Sequence, residues 1–338
     1  MPGTGIPFRR LLVRSLRTVA LDFHAALDPV RLSLSVPQAL ALLALRRPAA
    51  IFTTGGYVAL PVLLAAAVLR IPVVMWDGNV VPGRSVRATA RLAGSLAVTF
   101  ESTCVALGRQ NRPCYVTGTP IRDSGSISRS DARKALGVAA DDKLLLIFGG
   151  SQAVRRFNEA VAESLPRLVE RVRVIHVTGD AGYERAVEGR NALPEGLRVR
   201  YRPERFLDDE MTVALSAADL VIGRAGSSTL AEVAAFGLPM VVVPYPHAAG
   251  HQRRNAEEMV RAGAARLVED AAFDADALLA TVAILDDLKA HAAMAAAARS
   301  LARPNAAGAV AELVLAAAQR RPLPTPARLE ALSRGVAE

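Results

Sequence analysis

From about residue 49 onward, short apolar runs alternate with stretches whose apolar positions recur every three or four residues. "AIFTTGG" is followed by an apolar helix, "IPVVMWDG" by the helical "RSVRATARLAG", and then comes "LAVTF". Runs rich in β-branched and aliphatic residues, each ending in glycine or a polar turn and leading into a helix, predict a parallel α/β sheet. A second cycle starts at "KLLLIFGGSQ" and continues through "RVIHVTGD", "LRVRYRPE", "DLVIGRAG", "MVVVPYP" and "ARLVED". Between the cycles, "TGTPIRDSGSISRSDARKALG" carries glycine, proline and serine and reads as a link. The pattern predicts two doubly wound Rossmann-like domains facing a cleft.

The two ends read differently. Residues 1 to 48 offer arginine-rich helices, "FRRLLVRSLRTV" and "VPQALALLALRRP", where a doubly wound domain usually opens on a strand and a glycine turn. At the other end, "ARPNAAGAVAELVLAAAQ" reads as one helix after a break at Pro304, and "RRPLPTPARLEALSRGVAE" as a loosely ordered tail. The long apolar stretch "YVALPVLLAAAVLRIPVVMW" is interrupted by Pro61, Arg70 and Pro72, so it parses as helix, turn and strand rather than as a membrane span.

Composition narrows the picture. The chain has 338 residues, enough for two domains, and is 51% hydrophobic but only 4% aromatic, so its cores should be aliphatic. A net charge of +9 favours an anionic partner, although arginine enrichment alone gives the same number. No aromatic-rich basic motif points to nucleic acid. Cys104 and Cys114 have no metal-ligand spacing and follow no signal peptide, which suggests a reducing cytoplasm and no disulfide framework.

Several turns carry candidate chemistry. In "FGGSQAVRRFN", Gly149, Gly150 and Ser151 join a buried strand to a helix, a place where backbone N–H groups and the helix dipole favour an anion. The plain alternative is a tight turn with Ser151 as helix cap. "RAGSSTLAE" has the same architecture: Thr229-x-x-Glu232 fits a capping box, or the hydroxyls hold a diphosphate while Glu232 takes a ribose diol. "PYPHAAGHQRRNA" places His247 and His251 four apart, but Gly250 and the loop composition argue against a helical metal pair, and no metal site is expected. Gln252 and Asn255 read as sugar ligands or as helix-start residues. "TTGGY" and "WDGN" end two strands, and Asp77 beside the Trp76 indole is a candidate base.

Taken in order, these stretches resemble the MurG family of GT-B transferases. The resemblance is carried by "TTGGYVALPVLLAAAVLRIPVV", "NVVPGRSVRATARLA", "TGTPIR", "FGGSQAVRRFNEAV" and the run from "FLDDEMTVAL" through "PYPHAAGHQRRNAEEMVRAGAA", over about residues 50 to 300. It implies transfer of N-acetylglucosamine from UDP-N-acetylglucosamine to a lipid-linked acceptor, undecaprenyl-diphospho-N-acetylmuramoyl-pentapeptide, at the cytoplasmic face of the plasma membrane. It further implies that Ser151 lies near the donor phosphates, and that Arg122 and Leu207 belong to the donor site, Leu207 meeting uracil through its backbone. Ser227, Ser228, Thr229 and Leu230 would hold diphosphate and ribose, with Glu232 on the diol. Gln252 would contact the donor sugar and Asn79 would lie on the acceptor side.

The departures matter. The family's HEQN is here Trp76-Asp77-Gly78-Asn79, its GNPVR is Gly118-Thr119-Pro120-Ile121-Arg122, and Ala153 replaces a glycine. No residue matches the family's first loop, GGTGGH, so the N-terminal domain is expected to be incomplete. The expected division is 1–121 for the acceptor and membrane-facing domain and 122–303 for the UDP-sugar domain. A helix at 304–320 is expected to pack back on the first, followed by a tail at 321–338. The implied reaction is inverting and needs no cofactor, with Asp77 and His247 the candidate bases. Arg9, Arg10, Arg14 and Arg17 beside Phe8 and leucines would suit an anionic membrane surface. Two other readings stay open: a GT-B transferase with a different acceptor, and a donor-binding remnant without turnover.

Overall fold

The computed structural model describes residues 5–13, 23–108, 112–122, 127–149, 155–248 and 250–336. In chain order the first elements are α1 (Phe23–Arg46), β1 (Ile51–Thr53), α2 (Leu60–Leu69), β2 (Val73–Asp77), α3 (Arg84–Ala90), β3 (Ser95–Val98), α4 (Glu101–Ala106) and β4 (Cys114–Val116). Then follow α5 (Arg129–Ala135), β5 (Leu144–Phe148), α6 (Arg155–Arg171), β6 (Arg173–Val177), α7 (Asp180–Ala192), α8 (Glu195–Arg198) and β7 (Tyr201–Glu204). The next are α9 (Glu210–Ala217), β8 (Leu220–Gly223), α10 (Ser227–Ala235), β9 (Met240–Val242), α11 (His251–Arg261) and β10 (Ala265–Leu267). Helices α12 (Ala275–Val282), α13 (Leu288–Leu301), α14 (Ala306–Ala318) and α15 (Pro326–Ser333) close the chain. It divides into two compact units, Met1–Thr117 with Gly308–Leu332, and Gly118–Ala307 with Ser333–Glu338.

The first unit holds a parallel sheet in the order β1-β2-β3-β4. On one side Leu63, Ala66, Met75 and Leu96 form a core; on the other, Val74, Ala97 and Tyr115 meet Ala309, Val310 and Leu313 of α14 and Leu329 of α15. The segment expected to be a loose tail is therefore anchored. Thr325 and Pro326 start α15 in the usual way, the Thr325 hydroxyl accepting from Arg328 N at 3.3 Å, and Leu329 is buried. At the other end, residues 8 to 13 of the expected helix "FRRLLVRSLRTV" are not helical. There the backbone N–H groups of Leu12 and Val13 donate to the Gln38 and Ser35 side chains of α1 instead.

Cys104 and Cys114 form a disulfide, which corrects the expectation of none. Their spacing spoke only against a metal. The fold brings α4 beside β4 with the two Cα atoms 5.9 Å apart, inside the range a disulfide requires.

The second unit holds a six-stranded parallel sheet, β10-β9-β8-β5-β6-β7. Read from β7, this is the 3-2-1-4-5-6 order of a dinucleotide-binding fold, with its switch point between β5 and β8. β5 and β8 are buried at every residue, as strands covered on both faces must be, which is why they read as unbroken apolar runs. Amphipathic α6 lays Phe157, Val161, Leu165 and Leu168 against them, and Phe157 meets Phe273 edge to face at 5.2 Å. The segment expected to be a link contains α5, whose Ser128 caps the helix by accepting from Asp131 N at 3.1 Å.

Candidate functional site

Ligands of open α/β sheets sit beyond the carboxyl ends of the strands at the switch point. Here that places the site on the loops after β5 and β8. The Ser151 position falls outside the described residues, so the site is built from the β8 side.

Helix α10 starts immediately after the Arg224-Ala225-Gly226 turn. Its N-cap is Gly226, in an extended conformation with no side-chain cap. The first N–H to find a helical acceptor is that of Leu230, on Gly226 O at 3.0 Å. The N–H groups of Ser227, Ser228 and Thr229 therefore have no carbonyl partner among the described residues, nor do their hydroxyls bond there. The capping box that the sequence offered is not formed. Thr229 occupies the third helical position, where a box needs its carboxylate, and Glu232 lies three residues further in. Leu230 turns its side chain into the core.

The turn is fastened from beneath. The Gln252 side-chain oxygen accepts from Ala225 N at 3.2 Å and from Tyr245 N at 2.9 Å, joining the loops after β8 and β9. Buried Asn255 donates to Ala225 O at 3.2 Å. Arg224, 5% exposed, donates to Asp270 Oδ1 at 2.6 Å and to Val243 O at 3.1 Å, with its guanidinium 4.5 Å over the Phe157 ring. Arg224 and Asp270 were not singled out from the sequence, because nothing local distinguishes a buried ion pair from surface charge; Asn255 was, as a sugar ligand or helix-start residue, and it braces Ala225.

Beside α10 lies a cleft of about 220 Å³, lined by Arg122, Leu207, Asp208, Met211, Glu232 and Phe236 among others. It is smaller than the roughly 300–1,000 Å³ of a complete small-molecule site. Arg122 donates to Asp208 O at 3.1 Å and faces the Asp209 carboxylate at 3.6 Å. Burial pushes the Glu232 carboxyl above its ordinary 4.5, and the Arg122 guanidinium pulls it partly back. The structure thus brings Arg122, Leu207, Glu232 and the first turn of α10 together in one unit.

The remaining candidates lie elsewhere. His247 is exposed on the loop after β9, its ring edge-on to Tyr245 at 5.4 Å. Asp77 is buried at the end of β2 in the first unit. Its Oδ1 accepts from Asn79 N at 3.1 Å and Nδ2 at 3.4 Å, while Asn79 O accepts from the Thr103 hydroxyl at 2.9 Å.

Two parallel-sheet α/β units, the second in Rossmann order with an open helix N-terminus at its switch point, give the chain a GT-B fold, and its family matches make it a glycosyltransferase. Residues 144–310 match the glycosyltransferase family 28 C-terminal domain and residues 2–98 the family's N-terminal domain. A protein of Gloeobacter violaceus, named UDP-N-acetylglucosamine--N-acetylmuramyl-(pentapeptide) pyrophosphoryl-undecaprenol N-acetylglucosamine transferase, is 41% identical over 81% of this chain and 75% of its own length. A protein of the same name from Desulforudis audaxviator is 35% identical over 93% and 85%. The crystal structure of Acinetobacter baumannii MurG superposes with a TM-score of 0.70 at 28% identity, covering 85% of this chain and 79% of that one. The chain belongs to the MurG family.

Proposed function

We propose that this chain transfers N-acetylglucosamine from UDP-N-acetylglucosamine to the muramoyl sugar of an undecaprenyl-diphosphate-linked pentapeptide, the step that completes the disaccharide of the peptidoglycan precursor. The observation that carries the donor half is the first turn of α10, where three N–H groups and three hydroxyls lie open one turn from a carboxylate. Such a turn receives a diphosphate, and the helix dipole stabilises the negative charge that builds on the leaving UDP. Glu232 takes the ribose diol, and Arg122 and Leu207 border the nucleoside. Gln252 sets the turn and presents its amide to the donor sugar.

In the transfer, the acceptor hydroxyl attacks the anomeric carbon as the bond to UDP breaks, inverting that centre, and a base removes the hydroxyl proton. With Oδ1 of Asp77 engaged by Asn79, Asp77 orients the acceptor-side turn, and His247 is the base to test first. The first unit also presents exposed Ile6, Phe8, Leu45 and Val68 among Arg9, Arg10, Arg46, Arg47 and Arg70. This mixture suits an anionic bilayer at the cytoplasmic face, each near-surface charge contributing about 1 kcal/mol.

Calorimetry with UDP and a radiolabelled transfer assay with the lipid acceptor test the reading. Tight UDP binding with labelled disaccharide lipid as product supports it. UDP binding without transfer to that acceptor overturns the catalytic half.

A further inference from the structure

Four neighbouring strands, β10-β9-β8-β5, bring the segments that follow them to a single buried cation. Arg224 follows β8 and directly precedes the Ala225-Gly226 turn that opens α10. Its Nη1 donates to Val243 O at 3.1 Å, after β9, and to Asp270 Oδ1 at 2.6 Å, after β10. The guanidinium carbon lies 4.5 Å from the ring centre of Phe157, in the first turn of α6, and 5.4 Å from that of Tyr245. Val243 N returns a bond to Gly223 O at 2.9 Å, so the chain on both sides of the pair is tied to it.

A buried ion pair contributes little to holding a fold. Withdrawing two charges from water offsets most of their attraction, and apolar side chains of similar volume give equal or greater stability. The core beneath is built that way, from Ile147, Phe157, Ile222 and Val241. What the pair supplies is direction. A guanidinium is a planar fork whose donors fix their acceptors and whose faces stack on aromatic rings, whereas an ammonium is a point charge on a flexible stem.

From this arrangement we infer that Arg224, through its pair with Asp270, is a positioning residue for glycosyl transfer. It fixes the Ala225-Gly226 turn so that the N–H groups of Ser227, Ser228 and Thr229 point where the leaving diphosphate gathers charge. The inference rests on the donor reading above. Arg224 is 5% exposed and acts through the backbone that follows it. Donors held in place beforehand need no reorganisation as charge builds. That charge is greater in the transition state than in the bound donor, so a misaligned turn loses more in kcat than in UDP affinity.

Transfer kinetics, UDP calorimetry and thermal melting test this on the wild type, Arg224→Lys and the double variant Arg224→Met with Asp270→Leu. The double variant leaves neither charge unpaired, so it should melt close to the wild type. It should nevertheless lose about 10–100-fold in kcat, with UDP affinity weakened by about tenfold or less. Arg224→Lys keeps the charge without the fork and should show the same split. If the double variant does not fold, Arg224→Lys carries the test. Folded variants with wild-type kcat and UDP affinity overturn the inference, whatever their melting temperature, and leave the donor reading intact. Wild-type kcat in Arg224→Lys alone also overturns it, because a cation would then suffice. A wild type that binds no UDP overturns the donor reading and the inference with it.

Discussion

Gln252 and Ala225 are joined through the glutamine's side-chain oxygen at 3.2 Å, and the same oxygen holds Tyr245 N at 2.9 Å. A residue assigned to the donor sugar is thus also the fastener of the turn that opens α10. Gln252→Ala frees two backbone N–H groups and should lower kcat/KM by about 10–100-fold, raising KM for the donor as the turn loosens. Gln252→Glu keeps an acceptor for both N–H groups but adds negative charge beside the diphosphate. It should preserve the melting temperature and still bind UDP poorly. Wild-type activity in Gln252→Ala would show that the turn is set by other contacts, and wild-type UDP affinity in Gln252→Glu would show that the added charge does not meet the diphosphate.

The Glu232 carboxylate makes no hydrogen bond among the described residues, and burial raises its pKa. A raised folded-state pKa contributes stability that is present at low pH and lost as pH rises through that value, so at pH 7 the carboxylate costs the unliganded protein stability. Glu232→Gln should hold or raise the melting temperature while weakening UDP binding by tenfold or more. Because a ribose diol donates to the ionised carboxylate, wild-type affinity should also fall with acid, at a midpoint above the ordinary 4.5. A Glu232→Gln variant that melts lower and binds UDP normally would return the residue to a purely structural role.

Much of this was legible in the chain, for identifiable reasons. β5 and β8 are buried on both faces, so "LLLIF" and "LVIG" show as unbroken apolar runs. The choice between cap and ligand site at "RAGSSTLAE" was not, because Gly226 and Ser227 are both acceptable N-caps and one residue of register moves Glu232 in or out of a capping box. Nor was the fastening by Arg224, Asp270 and Gln252, in which Arg224 meets Asp270 across 46 residues and Gln252 meets Ala225 across 27. The tail was misjudged through its prolines, although Thr325-Pro326 is a helix-start signal followed by apolar residues at Leu329 and Leu332.

His176 and Tyr201 form a buried pair in the second unit, Nδ1 to the phenol oxygen at 2.9 Å. Burial lowers the His176 pKa to about 3. The unfolded chain, with histidine near 6.5, therefore binds a proton that the folded protein refuses over the interval between. Stability should be complete above pH 6.5 and fall below it, with this residue contributing a slope of up to about 1.4 kcal/mol per pH unit. His176→Gln removes the titration, so its unfolding free energy should depend less on pH between 6.5 and 4 than that of the wild type. Parallel curves for the two proteins would mean that His176 is protonated in the fold.

The Cys104–Cys114 disulfide closes a short loop and ties α4 to β4, beside Thr103, which holds Asn79 O at 2.9 Å. In the chain-entropy account a loop of this size contributes about 2–3 kcal/mol. Reduction, or Cys104→Ser with Cys114→Ser, should lower the unfolding free energy by roughly that amount in denaturant titration. Since α4 holds the Asn79 turn, which the proposed function puts on the acceptor side, the same change should raise KM for the lipid acceptor while leaving UDP affinity unaltered, because the proposed donor residues lie in the other unit. Peptide mapping without reductant checks the bond itself. A stability loss with both constants unchanged would confine the disulfide to holding the fold, and a loss of UDP affinity would contradict the assignment of Asn79 to the acceptor side.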